Sequence, residues 1–226
     1  TCCFINDAKE ESVNTILEMA EYKKTGSCKV LVVTGCMAQR YKNEIIEEVP
    51  EVDAVLGTTS YGDILKAIRE AMEGKHFQEF KDIDYLPEKL GKRVLTTGGH
   101  FGYLKIAEGC DKHCTYCIIP YARGRVRSMP LEAAVEETKR LAREGYREIV
   151  INGIEISSWG WEWKDGSRLP QLLLVVCEAA PDVRIRLGSL EPRTIDEEFC
   201  TMLSGCKNLC PQFHLSLQSG SDTVLK

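Results

Sequence analysis

Short apolar, β-branched runs alternate with longer amphipathic stretches along most of this chain, and that alternation admits a layered α/β fold with parallel strands. The first series fills the amino-terminal third. Cys2–Ile5 reads as the end of a strand, and Asp7–Lys24 as a helix with Val13, Ile16, Leu17 and Ala20 on one face. Lys29–Thr34 reads as a strand buried in a parallel sheet. Met37–Glu48 is a second helix stopped by Pro50, Val52–Leu56 a further strand, and a Ser60 cap starts a third helix that runs to about Glu73. Residues 1–75 are therefore expected to form a small parallel α/β domain.

Charged residues, Pro87 and the pair Gly98-Gly99 interrupt the pattern, so residues 76–102 read as a linker. A second series fills residues 103–226: strand Tyr103–Ala107, helix Leu131–Glu144, strand Glu148–Asn152, helix Leu169–Ala179, strand Val183–Gly188, helix Thr194–Leu203 and strand Gln212–Leu217, with Ser219 or Ser221 placed to cap one more helix. Four βα units suit part of a (β/α) barrel and are too few to close one. A doubly wound sheet is the alternative. The predicted architecture is an amino-terminal Rossmann-like domain followed by a partial barrel. Catalytic loops of barrels follow the strands, which directs attention to the loop after Ala107, to Gly153–Glu155, to Ser189–Pro192 and to Gln218–Gly220.

The loop after Ala107 carries Cys110, Cys114 and Cys117 at CxxxCxxC spacing. Three thiolates can hold three corners of a cubic iron–sulfur cluster and leave the fourth iron open to a substrate or cofactor. A structural zinc site wants four closed ligands, and His113, the nearest fourth, lies inside the cysteine loop where it strains the geometry. A disulfide with a spare thiol needs an oxidising compartment. The eleven cysteines are odd in number and scattered through α/β sequence, which favours reduced thiols in the cytoplasm. Hydrophobic residues at 43% and charged residues at 28% describe a soluble globular protein. No apolar run has the length of a membrane span and no signal peptide is evident; the chain starts at Thr1 without Met and reads as a fragment. With a net charge of −5 the whole chain has no nucleic-acid footprint, so RNA contact would fall to a local patch, Arg123, Arg125 and Arg127. The same three arginines fit a solvated loop or a contact with a cofactor carboxylate. Trp159, Trp161 and Trp163 fit either base stacking or packing on the barrel.

The cysteine spacing, with Tyr116 before the last Cys, resembles the radical SAM enzymes. The resemblance implies that the open iron chelates S-adenosylmethionine and that an electron from the cluster produces a radical able to abstract hydrogen from an unactivated carbon. It also implies that Tyr116 lies near the adenine, although a packed aromatic fits the residue equally. Gly153-Ile154-Glu155 stands where the family often has Gly-Gly-Glu, which meets the methionine amino group; a plain strand-to-loop turn fits as well. Thr1-Cys2, Val33-Thr-Gly-Cys36-Met-Ala-Gln-Arg40, the cysteine loop, Arg123-Gly-Arg-Val-Arg-Ser128 and His214-Leu-Ser-Leu-Gln-Ser-Gly220 together resemble the methylthiotransferases. That family binds a second [4Fe–4S] cluster through three cysteines of its amino-terminal domain. Cys2 and Cys36 match two of them, and the third ligand is missing from the sequence. Cys3 points to the other side of an extended strand. Cys28, Cys177 and Cys200 read as buried apolar thiols. Cys206 and Cys210 have a CxxxC spacing without a third partner.

The resemblance implies replacement of C–H by C–SCH₃, with an external electron donor. The halves of the chain point to different subfamilies. Thr1–Ser12 and Gly57-Thr-Thr-Ser60 look RimO-like, the group that modifies an aspartate of a small-subunit ribosomal protein. Pro120–Ser128, Asn152–Ser158 and Arg186–Pro192 look MtaB-like, the group that modifies threonylcarbamoyladenosine beside the tRNA anticodon. Because the MtaB-like half is expected to line the face that holds the target carbon, the expected substrate is tRNA, with the ribosomal protein as alternative. An inactive fragment, a non-catalytic iron–sulfur protein and a zinc-binding interaction module are the remaining readings.

Overall fold

The computed structural model describes residues 1–85 and 99–225 and divides into two compact units, Thr1–Leu90 with Cys110–Arg125 and Gly91–Gly109 with Val126–Lys226. Both are built of parallel strands and helices, the α/β class that the alternation predicts.

In the first unit a three-stranded parallel sheet has the order β1 (Val32–Thr34), β2 (Ala54–Leu56), β3 (Phe77–Glu79). All three residues of β2 are fully buried, as expected of a central parallel strand covered on both faces. The helices are α1 (Asn6–Thr25), α2 (Cys36–Tyr41), α3 (Glu44–Glu48), α4 (Ile64–Met72) and α5 (Ile119–Arg123). The buried stripe of α1 is Ser12, Ile16 and Ala20, while Val13 and Leu17 are exposed, a rotation of the expected face. Its cause is the Ser12 hydroxyl, which bonds the Cys2 backbone and draws its own face inward. At the far end of α1, Lys23 pairs with Asp53 at 2.8 Å, and Asp53 also accepts from the Leu31 amide at 2.7 Å.

The helix expected over Met37–Glu48 is two helices, broken at Lys42, which has φ +43°. The side chain of Gln39 in α2 reaches the loop after β2, where its Oε1 accepts from the Thr58 amide at 3.1 Å. Part of the stretch expected as linker is sheet: β3 pairs in register with β2 from Ala54↔Phe77 to Leu56↔Glu79. Three residues bearing Gln and Glu carry no strand periodicity, so pairing and the burial of Phe77 decide their conformation. At the other end of that stretch Phe101 and Gly102 also belong to a strand, and residues 86–98 lie outside the described residues.

The second unit holds a sheet of order β5-β4-β6-β7: β4 (Phe101–Glu108), β5 (Arg127–Ser128), β6 (Glu148–Gly153) and β7 (Arg184–Leu187). β4, β6 and β7 are parallel, and β5 runs antiparallel to β4. A second parallel pair joins β8 (Ser189–Leu190) to β9 (His214–Leu215). Helices α6 (Leu131–Arg143), α7 (Leu169–Ala179) and α8 (Glu197–Leu203) connect successive parallel strands, and α9 (Asp222–Leu225) follows Ser221. This is the βα repeat of an open, partial (β/α) barrel.

In α7, Leu169, Leu172, Leu173, Val176 and Cys177 are buried at i, i+3, i+4, i+7 and i+8. They pack with Leu104, Ile106, Ile149, Ile151 and Ile185 from the strands. Each such aliphatic side chain contributes about 1.5–3 kcal/mol on burial. Where α7 ends, the Asn208 amide donates to the carbonyls of Cys177, Ala180 and Val183 at 3.0–3.1 Å, so a distant residue satisfies acceptors the helix leaves open. No described helix is long and apolar enough to cross a membrane.

Candidate functional site

In the first unit, residues 110–118 contain neither helix nor strand. Positive φ at His113 (+49°) and Gly124 (+73°) turns the backbone there. The Cys110 amide donates to the Gly124 carbonyl at 3.1 Å, joining the start of the loop to the end of α5, and the Cys117 amide donates to the Cys114 carbonyl at 2.9 Å. Cys110 and Cys117 are half-buried and Cys114 is exposed. Tyr116, 65% exposed, is not a core aromatic.

All eleven cysteines are thiols. Among the described residues no three His, Cys, Asp or Glu side chains are gathered closely enough to hold one metal ion. The donor set of the loop nevertheless suits an iron–sulfur cluster. Three thiols lie on backbone that no helix or strand restrains, and the Cys117 sulfur accepts the Ile119 N–H at 3.4 Å. Loading of such a site organises its ligands and releases their protons.

The loop continues into α5, which packs on the amino-terminal residues. Ala122 is fully buried in one apolar cluster with Cys3, Cys36, Met37 and Val55, and its carbonyl accepts from the Thr58 hydroxyl at 3.0 Å. Thr1 and Cys2 run beside the end of β1: the Thr1 hydroxyl donates to the Thr34 carbonyl at 2.8 Å, and the Cys36 amide donates to the Thr1 carbonyl at 3.1 Å. Gly35, at φ +111°, permits this approach, because a Cβ there would stand 2.6 Å from the Thr1 oxygen.

Cys2 is exposed, whereas Cys36 and Cys3 are buried, at 8% and 1% exposure. Burial pushes the Cys3 thiol above its usual range, the Cys36 thiol adds to the effect, and Arg40 opposes it. Sequence reading set Cys3 aside by strand alternation. Residues 2–5 form no strand; Cys2 is exposed and Cys3 buried, and because Cys36 also turns to the buried side, Cys3 shares an apolar cluster with it. Nothing in the order of residues signals that.

The three arginines of the expected patch have different settings. Arg123 is half-buried and its Nε donates to the Cys36 sulfur at 3.1 Å. Arg125 is exposed, and its amide donates to the Asp84 carboxylate at 2.8 Å. Arg127 is half-buried in β5 opposite Glu108.

In the second unit, Gly153 ends β6 beside a register shift in β4 between Lys105 and Ala107. A Cβ on it would stand 2.7 Å from the Ala107 carbonyl oxygen and 2.8 Å from the Ile156 side chain, so close backbone approach explains this glycine. The Glu155 carboxylate caps the short turn Ile156–Ser158, accepting from the Ser157 amide at 2.9 Å and from the Ser158 hydroxyl. Trp159 is a core residue whose indole donates to the Met129 carbonyl at 2.9 Å, and Trp163 packs edge-on against it. Trp161 is half exposed and lies under Arg168. A glutamate that sequence reading passed over, Glu162, accepts from the Ser128 amide and hydroxyl at 2.5 and 3.0 Å. Of the cysteines read as buried, Cys177 is buried, Cys28 is half-buried and Cys200 is exposed. Cys210 accepts from Arg184 at 2.9 Å, and Cys206 lies against Cys177.

Residues 1–57 match the family described as Uncharacterized protein family UPF0004, and residues 104–226 match the Radical SAM superfamily. Over 226 residues the chain is 50% identical to a protein of Lachnoclostridium phytofermentans named ribosomal protein uS12 methylthiotransferase RimO, covering 100% of this chain and 51% of that one. A protein of the same name from Clostridioides difficile is 39% identical with the same coverage. The chain thus spans about half the length of the curated relatives it matches. A solved structure, the cobalamin-dependent S-adenosylmethionine radical enzyme OxsB with aqua-cobalamin and S-adenosylmethionine bound, matches with a TM-score of 0.57 at 14% identity, over 97% of this chain and 35% of that one. That likeness is one of fold alone.

These relatives correct the expectation of a tRNA substrate. The resemblance of the RimO-like half extends through the half read as MtaB-like, because the match to proteins named for uS12 is continuous over the whole chain. The cofactors are S-adenosylmethionine and a [4Fe–4S] cluster. With its amino-terminal UPF0004 match, its Radical SAM match over more than half of its length and these relatives, the chain belongs to the radical SAM superfamily as a member of its methylthiotransferase family.

Proposed function

We propose that the complete protein is a radical SAM methylthiotransferase that replaces C–H by C–SCH₃ on an aspartate of the small-subunit ribosomal protein uS12, working in the cytoplasm with an external electron donor. The observation that carries this reading is 50% identity, unbroken over all 226 residues, to a relative named for that reaction partner. Cys110, Cys114 and Cys117 are the residues that would hold the radical SAM cluster, Tyr116, Gly153 and Glu155 would contribute to cofactor binding, and Cys2 and Cys36 would hold the second cluster. When bound, the cluster and S-adenosylmethionine supply the one-electron chemistry that removes hydrogen from an unactivated carbon.

The chain's own part is positional. The Ile119 amide holds the Cys117 sulfur, and Gly124 anchors the first ligand through the Cys110 amide. The capped turn after Gly153 fixes the Glu155 carboxylate by two donors. Mass spectrometry of uS12 and of tRNA nucleosides from cells lacking the gene tests the reading. The methylthio mass is expected to vanish from uS12 and to return on complementation. An unchanged uS12 overturns it.

A further inference from the structure

We propose that His214 takes the carboxylate of the target aspartate, with Ser189 behind it as the positioning residue. The inference rests on the reading above in taking an aspartate of uS12 as the substrate. Its geometry lies wholly within the second unit.

Ser189 and His214 stand directly opposite each other in the β8–β9 pair, and Ser189 Oγ lies 2.7 Å from His214 Nδ1 across 25 positions of sequence. Both residues are exposed. Leu190, the next residue of β8, is buried in the core that the strands share with the helices, so alternation puts Ser189 on the opposite, inner face. Two hydrogen bonds set the place of Ser189. The Gly188 amide donates to the Ile151 carbonyl at 2.8 Å, and the Glu191 amide donates to the Ser157 hydroxyl at 3.1 Å. Ser157 in turn donates its amide to Glu155. The pair therefore sits beside the turn after Gly153, at the end of the strands where barrels carry their catalytic loops.

Neighbouring cations of this unit are already committed. Lys105 bonds Glu108, Arg186 bonds Glu148 at 2.7 Å, and Arg193 lies 3.7 Å from Glu191. Among the described residues, His214 has Ser189 alone as a side-chain hydrogen-bond partner. A hydroxyl that donates to Nδ1 leaves the ring proton on Nε2, and a protonated ring carries one there too. The Nε2–H then points a donor at whatever the inner face receives. Such a donor suits an acceptor-only group, and a carboxylate is one. Every hydrogen-bearing carbon of an aspartate lies close to its carboxyl carbon, so holding the carboxylate also aims the C–H that reacts.

The test uses the complete protein, reconstituted anaerobically with iron and sulfide. It is titrated with uS12 and with uS12 whose target aspartate is replaced by asparagine. Wild type is expected to bind the aspartate form about tenfold more tightly, the usual scale of a hydrogen bond to a charged group. His214→Ala is expected to erase most of that preference, with a smaller loss for the asparagine form. Ser189→Ala should erase part of it, and Ser189→Thr, which keeps a hydroxyl, should restore it. Should His214→Ala fail to fold, the two Ser189 variants carry the comparison. Absence of the preference in wild type, equal weakening of both forms, or a preference that survives His214→Ala overturns the role of His214. A wild type that binds neither form overturns the reading of the substrate, and the inference falls with it.

Discussion

Ser12 and Cys2 hold each other by two hydrogen bonds: the Ser12 hydroxyl accepts from the Cys2 amide at 2.9 Å and donates to the Cys2 carbonyl at 3.1 Å. One side chain on the buried face of α1 thereby stands in for a strand partner and fixes the backbone of a candidate cluster ligand. Ser12→Ala removes both bonds and leaves a partly buried amide and carbonyl without this partner. It is expected to destabilise the first unit by about 1–3 kcal/mol, read by urea unfolding of the apo protein, and to lower the iron bound through Cys36. Unchanged stability and iron content would show that Thr1 and Cys2 are held by their contacts with β1 alone.

Cys177 carries a prediction in pH. Burial, with Cys206 beside it, pushes its thiol from an ordinary value near 9 up to about 12. The folded state therefore retains a proton that the unfolded chain loses first. Stability from this group is complete below pH 9 and is lost as pH rises toward about 12, with a slope of about 1.4 kcal/mol per pH unit inside that window. Cys177→Ala should lower stability at neutral pH and flatten the alkaline decline. Parallel decline of both proteins, followed by thermal unfolding between pH 8 and 11, would remove Cys177 as its source.

Gly153→Ala tests the close approach of β6 to β4. The added methyl would meet the Ala107 carbonyl oxygen at 2.7 Å, a backbone atom that cannot swing aside. A loss of about 1–3 kcal/mol is expected, the usual cost of overpacking. Weaker binding of S-adenosylmethionine should accompany it, since Glu155 follows on the same turn. Gly145→Ala is a weaker comparison because its strain is backbone alone: φ is +90° and no atom lies within 4 Å of the added Cβ. A melting temperature equal to wild type in Gly153→Ala would contradict the packing described.

Thiol labelling separates ligands from bystanders. In the apo protein the exposed Cys114 and Cys200 are expected to react quickly with an alkylating reagent and the buried Cys177 slowly. Reconstitution with iron and sulfide should protect Cys110, Cys114 and Cys117 while leaving Cys200 reactive. Equal labelling of Cys114 before and after reconstitution, by peptide mass spectrometry, would remove it from the ligand set.

Much of the fold is legible in chain order because its signals are local. The period of α7 is written in Leu169, Leu172, Leu173, Val176 and Cys177, and the buried character of β6 in Ile149, Val150 and Ile151. The signals fail where a distant group outweighs them. The face of α1 turns because Ser12 finds Cys2, and Phe77–Glu79 becomes a strand because β2 offers an edge. The same holds for the arginines between Tyr121 and Pro130. By composition they form one basic stretch, but Arg123 meets Cys36, Arg125 is anchored by Asp84, and Arg127 stands opposite Glu108 in β5.

By itself, the order of residues determined the α/β class, the spacing of Cys110, Cys114 and Cys117, and membership of the methylthiotransferase family, because periodicity and short ligand spacings are properties of neighbours along the chain. Only the tertiary structure decided that Cys36 faces inward beside Cys3, that Gly153 is required by a neighbouring carbonyl, and that Arg123 donates to the Cys36 sulfur 87 positions away. Such pairings depend on which groups burial brings together, since a polar or charged group leaving water must find its partner wherever the fold supplies one.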